Sequence, residues 1–461
     1  MKPPGRRALW GTLLFAAALA VRLFVAFRTA LPSVDGVIFL SMAEDLARGE
    51  WTHVVGRVFH PFFPLLTAPL IALGVEPFAA ARIVLSLAGA GASALVLPLA
   101  LGLGASFQAA LAVSLLSVFS VWPVRYVGDA YSEPLFTFLA AAALLLHLRG
   151  GKKGRERRGS LFAAGLLAGL AFTTRPEGAA LAGILVLAGP ARGAVLLGAA
   201  LPTLAYLGGR YLLLGEMGPT PKLGFMLPMG PLGAPSVGAG ILLYAQNLGR
   251  ALLLGFEALG PLGWGLALAG AFLVLREGKA RSGPAGRVVL PTLLVALAGM
   301  AAFQVKRRFL LDWEPFLLAL GARALDRAGR RTRNLLFLLA ALSVLWSLLR
   351  LAPSRKWEKT GEVVVARWIA GELRPGERIV TDMPRVAYYA GFRPPPPRVP
   401  TPEELARACA SKEVRFLVLG AGRELLRRFG PPPPWRPAPL PPRVARAAKE
   451  RGIALFIRPA R

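Results

Sequence analysis

Long apolar runs recur along this chain from Leu9 to about residue 351, and several reach the ~20 residues a helix needs to cross hydrocarbon. Inside lipid every backbone amide must find a partner within its own segment, so runs of this length are read as helices. The 461 residues are therefore expected to form a polytopic α-helical membrane protein, not the roughly three soluble domains that length alone suggests. A hydrophobic share of 55% agrees. Residues 9–30 are too long for a secretory signal, and no small-residue cleavage site precedes the polar stretch that follows.

Net charge is +30, yet the cations are gathered in short tracts between apolar segments. There they set topology and meet anionic lipid headgroups, and no basic stripe interleaved with aromatics points to nucleic acid. Lys2, Arg6 and Arg7 precede the first helix and place the N-terminus in the cytoplasm. Apolar segments follow at about residues 78–101, 105–121, 135–148, 179–188, 193–214, 259–275, 288–303, 316–325 and 334–351, with a small-residue helix near 165–174. The stretch 241–250 reads as an interfacial amphipathic helix. Arg22 lies within the first helix, either snorkelling to an interface or held inside.

With about eleven crossings, Lys152, Lys153, Arg155, Arg157 and Arg158 fall on the cytoplasmic side, as so basic a tract should. Asp35, Asp129 and Glu133 then fall outside, and so do Lys306, Arg307 and Arg308, against the positive-inside tendency. Adjacent cations on that side call for an anionic partner. Cys409 is the single cysteine, which excludes an internal disulfide and a cysteine metal cluster. His53, His60 and His147 are the only histidines.

Beyond residue 351 the apolar runs shorten to strand length, at 378–381, 416–419 and 454–457. Helical stretches near 364–372 and 403–410 separate them, and proline runs act as extended connectors. Residues 352–461 are expected to be a small extracytoplasmic α/β domain with a largely parallel sheet, following a membrane domain of residues 1–351.

Asp35 stands just after the first apolar run, followed by Ala43-Glu44-Asp45-Leu46-Ala47-Arg48-Gly49 and by His60-Pro61. Taken alone, Asp35 is also a good helix cap. Further along come Ser132-Glu133-Pro134 and a Gly165 to Gly169 small-residue pair leading to Thr174-Arg175-Pro176-Glu177; Arg308-Phe309 with Pro315 comes last. This set resembles the GT-C superfamily of membrane glycosyltransferases, of the bacterial kind similar to protein mannosyltransferases and aminoarabinose transferases. Phe39 stands where the family often has Tyr. The residues from Ala366 to Ala370 and from Tyr388 to Gly391 also resemble the family's extracytoplasmic tail domain.

The resemblance implies a multi-pass enzyme of the cell membrane that moves a hexosyl or pentosyl group from a polyprenyl-phosphate donor to a lipid, glycan or protein acceptor. It implies Asp35 as the base, alone or metal-assisted. Asp129 and Glu133, on the same expected face, either position acceptor or metal or pair with Arg125. Lys306, Arg307, Arg308, Arg175 and His60 are the candidates for binding donor phosphate. Such chemistry needs a carboxylate to take the hydroxyl proton, cations to stabilise the leaving phosphate, and a greasy groove. Asp35, Asp129, Glu133 and His60 offer metal ligands without a tight motif, and only some relatives use a divalent metal, so a metal stays open. A transporter or flippase of envelope precursors is the alternative, although no repeated half or paired broken helices mark one.

Overall fold

A computed structural model describes residues 4–150, 156–188, 191–216, 218, 230–282, 288–303, 305–353, 356–395, 407, 410, 411, 413–420 and 435–458. Lys152, Lys153, Arg155, Lys222, Gln304, Cys409, the prolines at 396, 397 and 431–434, and most of the helix expected at 403–410 lie outside the described residues. The chain divides into two compact units. One comprises Met1–Phe27 and Asp45–Pro353, the other Arg28–Glu44 and Ser354–Arg461.

The first unit is helical. Among its described residues seven helices are long and apolar enough to cross a membrane: Arg7–Phe27, Pro77–Gly102, Phe107–Gly128, Glu133–Gly150, Arg192–Leu214, Val237–Glu277 and Arg330–Leu351. Shorter apolar helices run over Phe62–Ala72, Gly178–Ala188 and Leu290–Ala302. Pro77–Gly102 shows how the sequence sets such a helix. Glu76 caps it by accepting from the amides of Phe78 and Ala79 at 3.0 and 2.6 Å, and Pro77 occupies a first-turn position where no amide bond is lost.

The middle of that helix reads Gly89-Ala90-Gly91-Ala92-Ser93, small enough for neighbours to close in. A Cβ on Gly89 would lie 2.7 Å from Nε of Arg22. Arg22 is 1% exposed and does not snorkel. Its guanidinium donates to Ser93 Oγ at 2.7 Å and to the carbonyls of Ala18 and Val118 at 3.2 and 3.3 Å, so three helices share one cation. The Gly165–Gly169 pair works similarly on helix Glu156–Thr174. A Cβ on Gly169 would lie 2.5 Å from the carbonyl oxygen of Ala199, so this helix meets Arg192–Leu214 backbone to backbone.

The expected amphipathic helix at 241–250 and crossing at 259–275 are parts of one long helix, Val237–Ser282. Gly260 has φ +74° and precedes Pro261, so the backbone departs from helical dihedrals at the start of the expected crossing. Asn247 is buried there and donates to the Ala301 carbonyl at 3.0 Å, while Ile241, Leu242 and Leu248 are exposed, so this stretch packs against the unit by one face only.

In the second unit, helix Val34–Ala47 starts at Ser33, whose Oγ accepts from the Gly36 amide at 2.8 Å. Residues 37–43 of this helix are buried in an unbroken run, so it is enclosed on every side and not amphipathic. The tail contributes helices Thr360–Glu372, Pro384–Tyr389 and Pro442–Arg451 and strands β1 (Arg378–Thr381), β2 (Val414–Leu419), β3 (Arg436–Pro437) and β4 (Ala454–Ile457). Sheet order is β1-β2-β4-β3. Among the described strands only β1 and β2 are parallel; β4 runs antiparallel to both β2 and β3, so the expectation of a largely parallel sheet is corrected. Apolar periodicity marks a strand but carries no direction. Phe416 and Val418 face a core with Val365, Ile369 and Val386, while Leu417 and Leu419 pack with Trp435 on the other side, the period-two pattern of a strand covered on both faces.

Candidate functional site

In the first unit, three separate stretches of sequence meet at Arg175. Pro176 ends the helix Glu156–Thr174, and Arg175 sits at this break. Its Nη1 pairs with Glu133 at 2.8 Å; its Nη2 pairs with Glu177 at 3.0 Å and Asp312 at 3.3 Å. Glu133 is in the first turn of Glu133–Gly150, and Asp312 caps the C-terminus of the short helix Arg307–Leu311. Arg308, on that short helix, brings its Nε within 3.5 Å of the same Glu133 oxygen. Phe309 lies against both cations, with its ring centre 5.4 Å from each guanidinium carbon. Glu133, Arg175 and Asp312 are 3%, 5% and 0% exposed, so the set is a desolvated ion network.

Buried charges cost several kcal/mol each unless paired. Here three carboxylates face two guanidinium groups. Burial pushes the Asp312 carboxyl well above its usual range, with Glu133 and Glu177 pushing the same way and Arg175 and Arg308 opposing.

Arg307 turns the other way. Its guanidinium carbon lies 3.3 Å from the ring centre of Trp122, and it pairs with Glu257 at 3.0 Å. Trp122, Arg307, Phe256, Leu318, Leu342 and Trp346 are among the residues lining a largely apolar groove of about 480 Å³. Lys306 precedes the short helix in extended conformation and is exposed. The short helix thus carries one cation into the ion network and one along a groove, and ends on a buried acid.

Asp129 is buried and caps the C-terminus of Val121–Gly128. The next residue, Ala130, is buried with φ 56°, a left-handed conformation costing about 1–3 kcal/mol for a residue with a Cβ. That turn sets Tyr131, whose ring lies 5.2 Å from the Arg308 guanidinium. His60 is buried between Phe172 and Tyr206, with each ring centre 5.3 Å away, and its Nδ1 is 2.5 Å from the Phe172 carbonyl oxygen. Asp35 belongs to the second unit, half-buried in the first turn of Val34–Ala47.

The role of Asp312 escaped the sequence reading. The signal was present: Asp312 follows Arg308 by four residues, the spacing at which helical side chains become neighbours. For a divalent cation, Asp45, Glu50 and His53 form the one acidic and histidine group close enough among the described residues, within 4.8 Å of one another. The Arg48 guanidinium already bonds Asp45 at 2.5 Å and Glu50 at 3.0 Å, so a cation is in place and the group does not fit an open metal site. Glu133 is likewise taken up by guanidinium groups.

No protein-family model matches the sequence, nor does any curated protein. Solved structures do match in fold. ArnT from Cupriavidus metallidurans bound to undecaprenyl phosphate aligns over 98% of both chains at 15% identity, with a TM-score of 0.70. The archaeal oligosaccharyltransferase AglB from Archaeoglobus fulgidus, in complex with an inhibitory peptide and a dolichol-phosphate, aligns over 91% of this chain and 70% of its own at 13% identity, with a TM-score of 0.62. The Archaeoglobus fulgidus oligosaccharyltransferase in complex with Zn and sulfate scores 0.60 at 15% identity, over 88% and 68%. The chain is thus a multi-pass membrane protein with the fold shared by ArnT and the oligosaccharyltransferase AglB.

Proposed function

We propose that this chain transfers a sugar from a polyprenyl-phosphate donor to an acceptor hydroxyl or amide at the extracytoplasmic face of the cell membrane. The observation that carries the reading is the short helix Arg307–Leu311, which bears adjacent cations between a buried acid network and an apolar groove. A prenyl phosphate is an anion on a greasy chain, and this pairing of features suits it. The neighbour bound to undecaprenyl phosphate supports the same donor class.

In this reading Arg308, Arg307 and Lys306 meet the donor phosphate and stabilise the charge that grows on it as the sugar leaves. Arg175, saturated by three carboxylates, orients Glu133 and through it Arg308. Asp35 takes the proton from the acceptor. The N-terminus is cytoplasmic and the tail domain extracytoplasmic, as the basic tracts indicate.

Turnover and donor binding measured on the same purified variants test this. Asp35→Asn should lower turnover of a labelled polyprenyl-phosphate sugar by roughly 10²–10⁴-fold while donor binding persists. Arg308→Ala should instead weaken donor binding by about 10- to 100-fold, the loss of one charge-assisted contact. Near-normal turnover of Asp35→Asn refutes the base assignment, and unchanged donor affinity of Arg308→Ala removes the short helix from the site.

A further inference from the structure

The second unit joins the tail to the segment that carries Asp35, although more than 300 residues of sequence separate them. The joint is polar and specific. Arg385, in the helix Pro384–Tyr389, donates from Nε to the carbonyl of Pro32 at 2.9 Å. Its Nη1 is 3.3 and 3.0 Å from the two carboxylate oxygens of Glu362, on the helix Thr360–Glu372. Arg451, at the end of Pro442–Arg451, bonds the same Glu362 at 2.8 Å. Arg385 and Glu362 are 6% and 4% exposed.

Each part has a physical reason. A guanidinium is a planar fork, and here Nη1 is spent on a carboxylate, which fixes the direction in which Nε points. Glu362 is fixed in turn by the second arginine. A rigid donor from the tail is thereby aimed at one backbone carbonyl, that of Pro32. Pro32 immediately precedes Ser33, the cap of the Asp35 helix, and Pro32 itself has a restricted φ. The distance along the chain from the pinned carbonyl to Asp35 is three residues.

We infer that Arg385 is a positioning residue: held by Glu362 and Arg451, it pins the Pro32 carbonyl and so sets the start of the helix that carries Asp35. The inference rests on the reading of Asp35 as base, and it gives the tail a part in the reaction without placing any tail residue on the substrate. Arg385→Lys keeps the charge but cannot serve both Pro32 and Glu362 in this geometry; Glu362→Gln loosens the arginine without touching Pro32.

The test uses full-length protein. Arg385→Lys and Glu362→Gln should each lower kcat by roughly 10- to 100-fold, the loss expected when a reacting group is misplaced by about 1 Å, with KM for the polyprenyl-phosphate sugar unchanged. In an Asp35→Asn background neither should cause further loss, because residues acting through one group are not additive. Hydrogen exchange should accelerate at amides 33–37 in Arg385→Lys while strands β1 and β2 stay protected. A further loss in the Asp35→Asn background, or a loss confined to KM, overturns the positioning role. Should Asp35→Asn retain normal turnover, the base assignment fails by itself. Exchange at 33–37 then decides the pin alone: unchanged rates in Arg385→Lys refute it and faster rates uphold it.

Discussion

Replacing Arg175 by Met tests the buried ion network most directly, because the side chain keeps comparable bulk and loses every charge-assisted contact. Arg175 pairs with Glu133, Glu177 and Asp312 at 2.8, 3.0 and 3.3 Å. Glu177 is 30% exposed on its side chain and can be rescued by water, and Glu133 keeps Arg308. Asp312 is fully buried and loses the cation nearest to it. Removing one partner of a buried pair costs roughly 3–5 kcal/mol, and the variant should be destabilised on that scale. The loss should also depend on pH. Burial raises the Asp312 carboxyl in the folded protein, so the folded state holds its proton to higher pH than the unfolded chain does. Stability then falls as pH rises from the unfolded value of about 3.9 toward the folded one, at up to about 1.4 kcal/mol per pH unit for one proton. Without Arg175 the larger of the two opposing attractions is gone, only that of Arg308 remains, and this window extends upward. Thermal unfolding of the detergent-purified variant, followed between about pH 5 and pH 8, should show a midpoint that drops with pH more steeply than the parent's. Adding Asp312→Asn should flatten it. A midpoint independent of pH, or a slope that survives Asp312→Asn, refutes the account.

Gly169→Leu should separate the helices Glu156–Thr174 and Arg192–Leu214, since even a Cβ would lie 2.5 Å from the Ala199 carbonyl oxygen. The expected cost is about 1–3 kcal/mol or more, read as a lowered unfolding midpoint, and a normal midpoint would contradict the backbone contact. Ser93→Ala takes from Arg22 its 2.7 Å side-chain acceptor and should cost about 1–3 kcal/mol by the same measurement, whereas Thr12→Ala, on the exposed part of the same helix, should change little.

The elements were legible because their causes are local. Strands 378–381 and 454–457 and the helix Pro77–Gly102 fall where hydrophobic runs, caps and glycines put them. The antiparallel setting of β4 was not legible, since direction depends on which neighbour the strand meets. Arg22 was ambiguous for a related reason: the residues that hold it, Ser93 and Val118, become relevant only once three helices have packed. Among the site residues, Arg175 and Glu177 stood out through Pro176, whereas Asp312 looked like one more loop acid until folding buried it beside Arg175. The grouping of residues 28–44 with the tail was not legible in the segment itself; one contact that ties it, from Arg385, is to a backbone carbonyl, which every residue has.

Arg22 also bears on how the chain is made. Its acceptors Ser93 and Val118 lie 71 and 96 residues downstream, so when the first helix leaves the ribosome they do not yet exist in the membrane. At about 5–20 residues per second, the second partner follows roughly 5–20 s later. Through that interval the nascent helix carries a guanidinium whose insertion costs about 2.5–3.5 kcal/mol at a bilayer centre. The first segment is thus a poor candidate for settling alone in lipid, and a good one for waiting at the translocon until Pro77–Gly102 and Phe107–Val118 arrive to receive it.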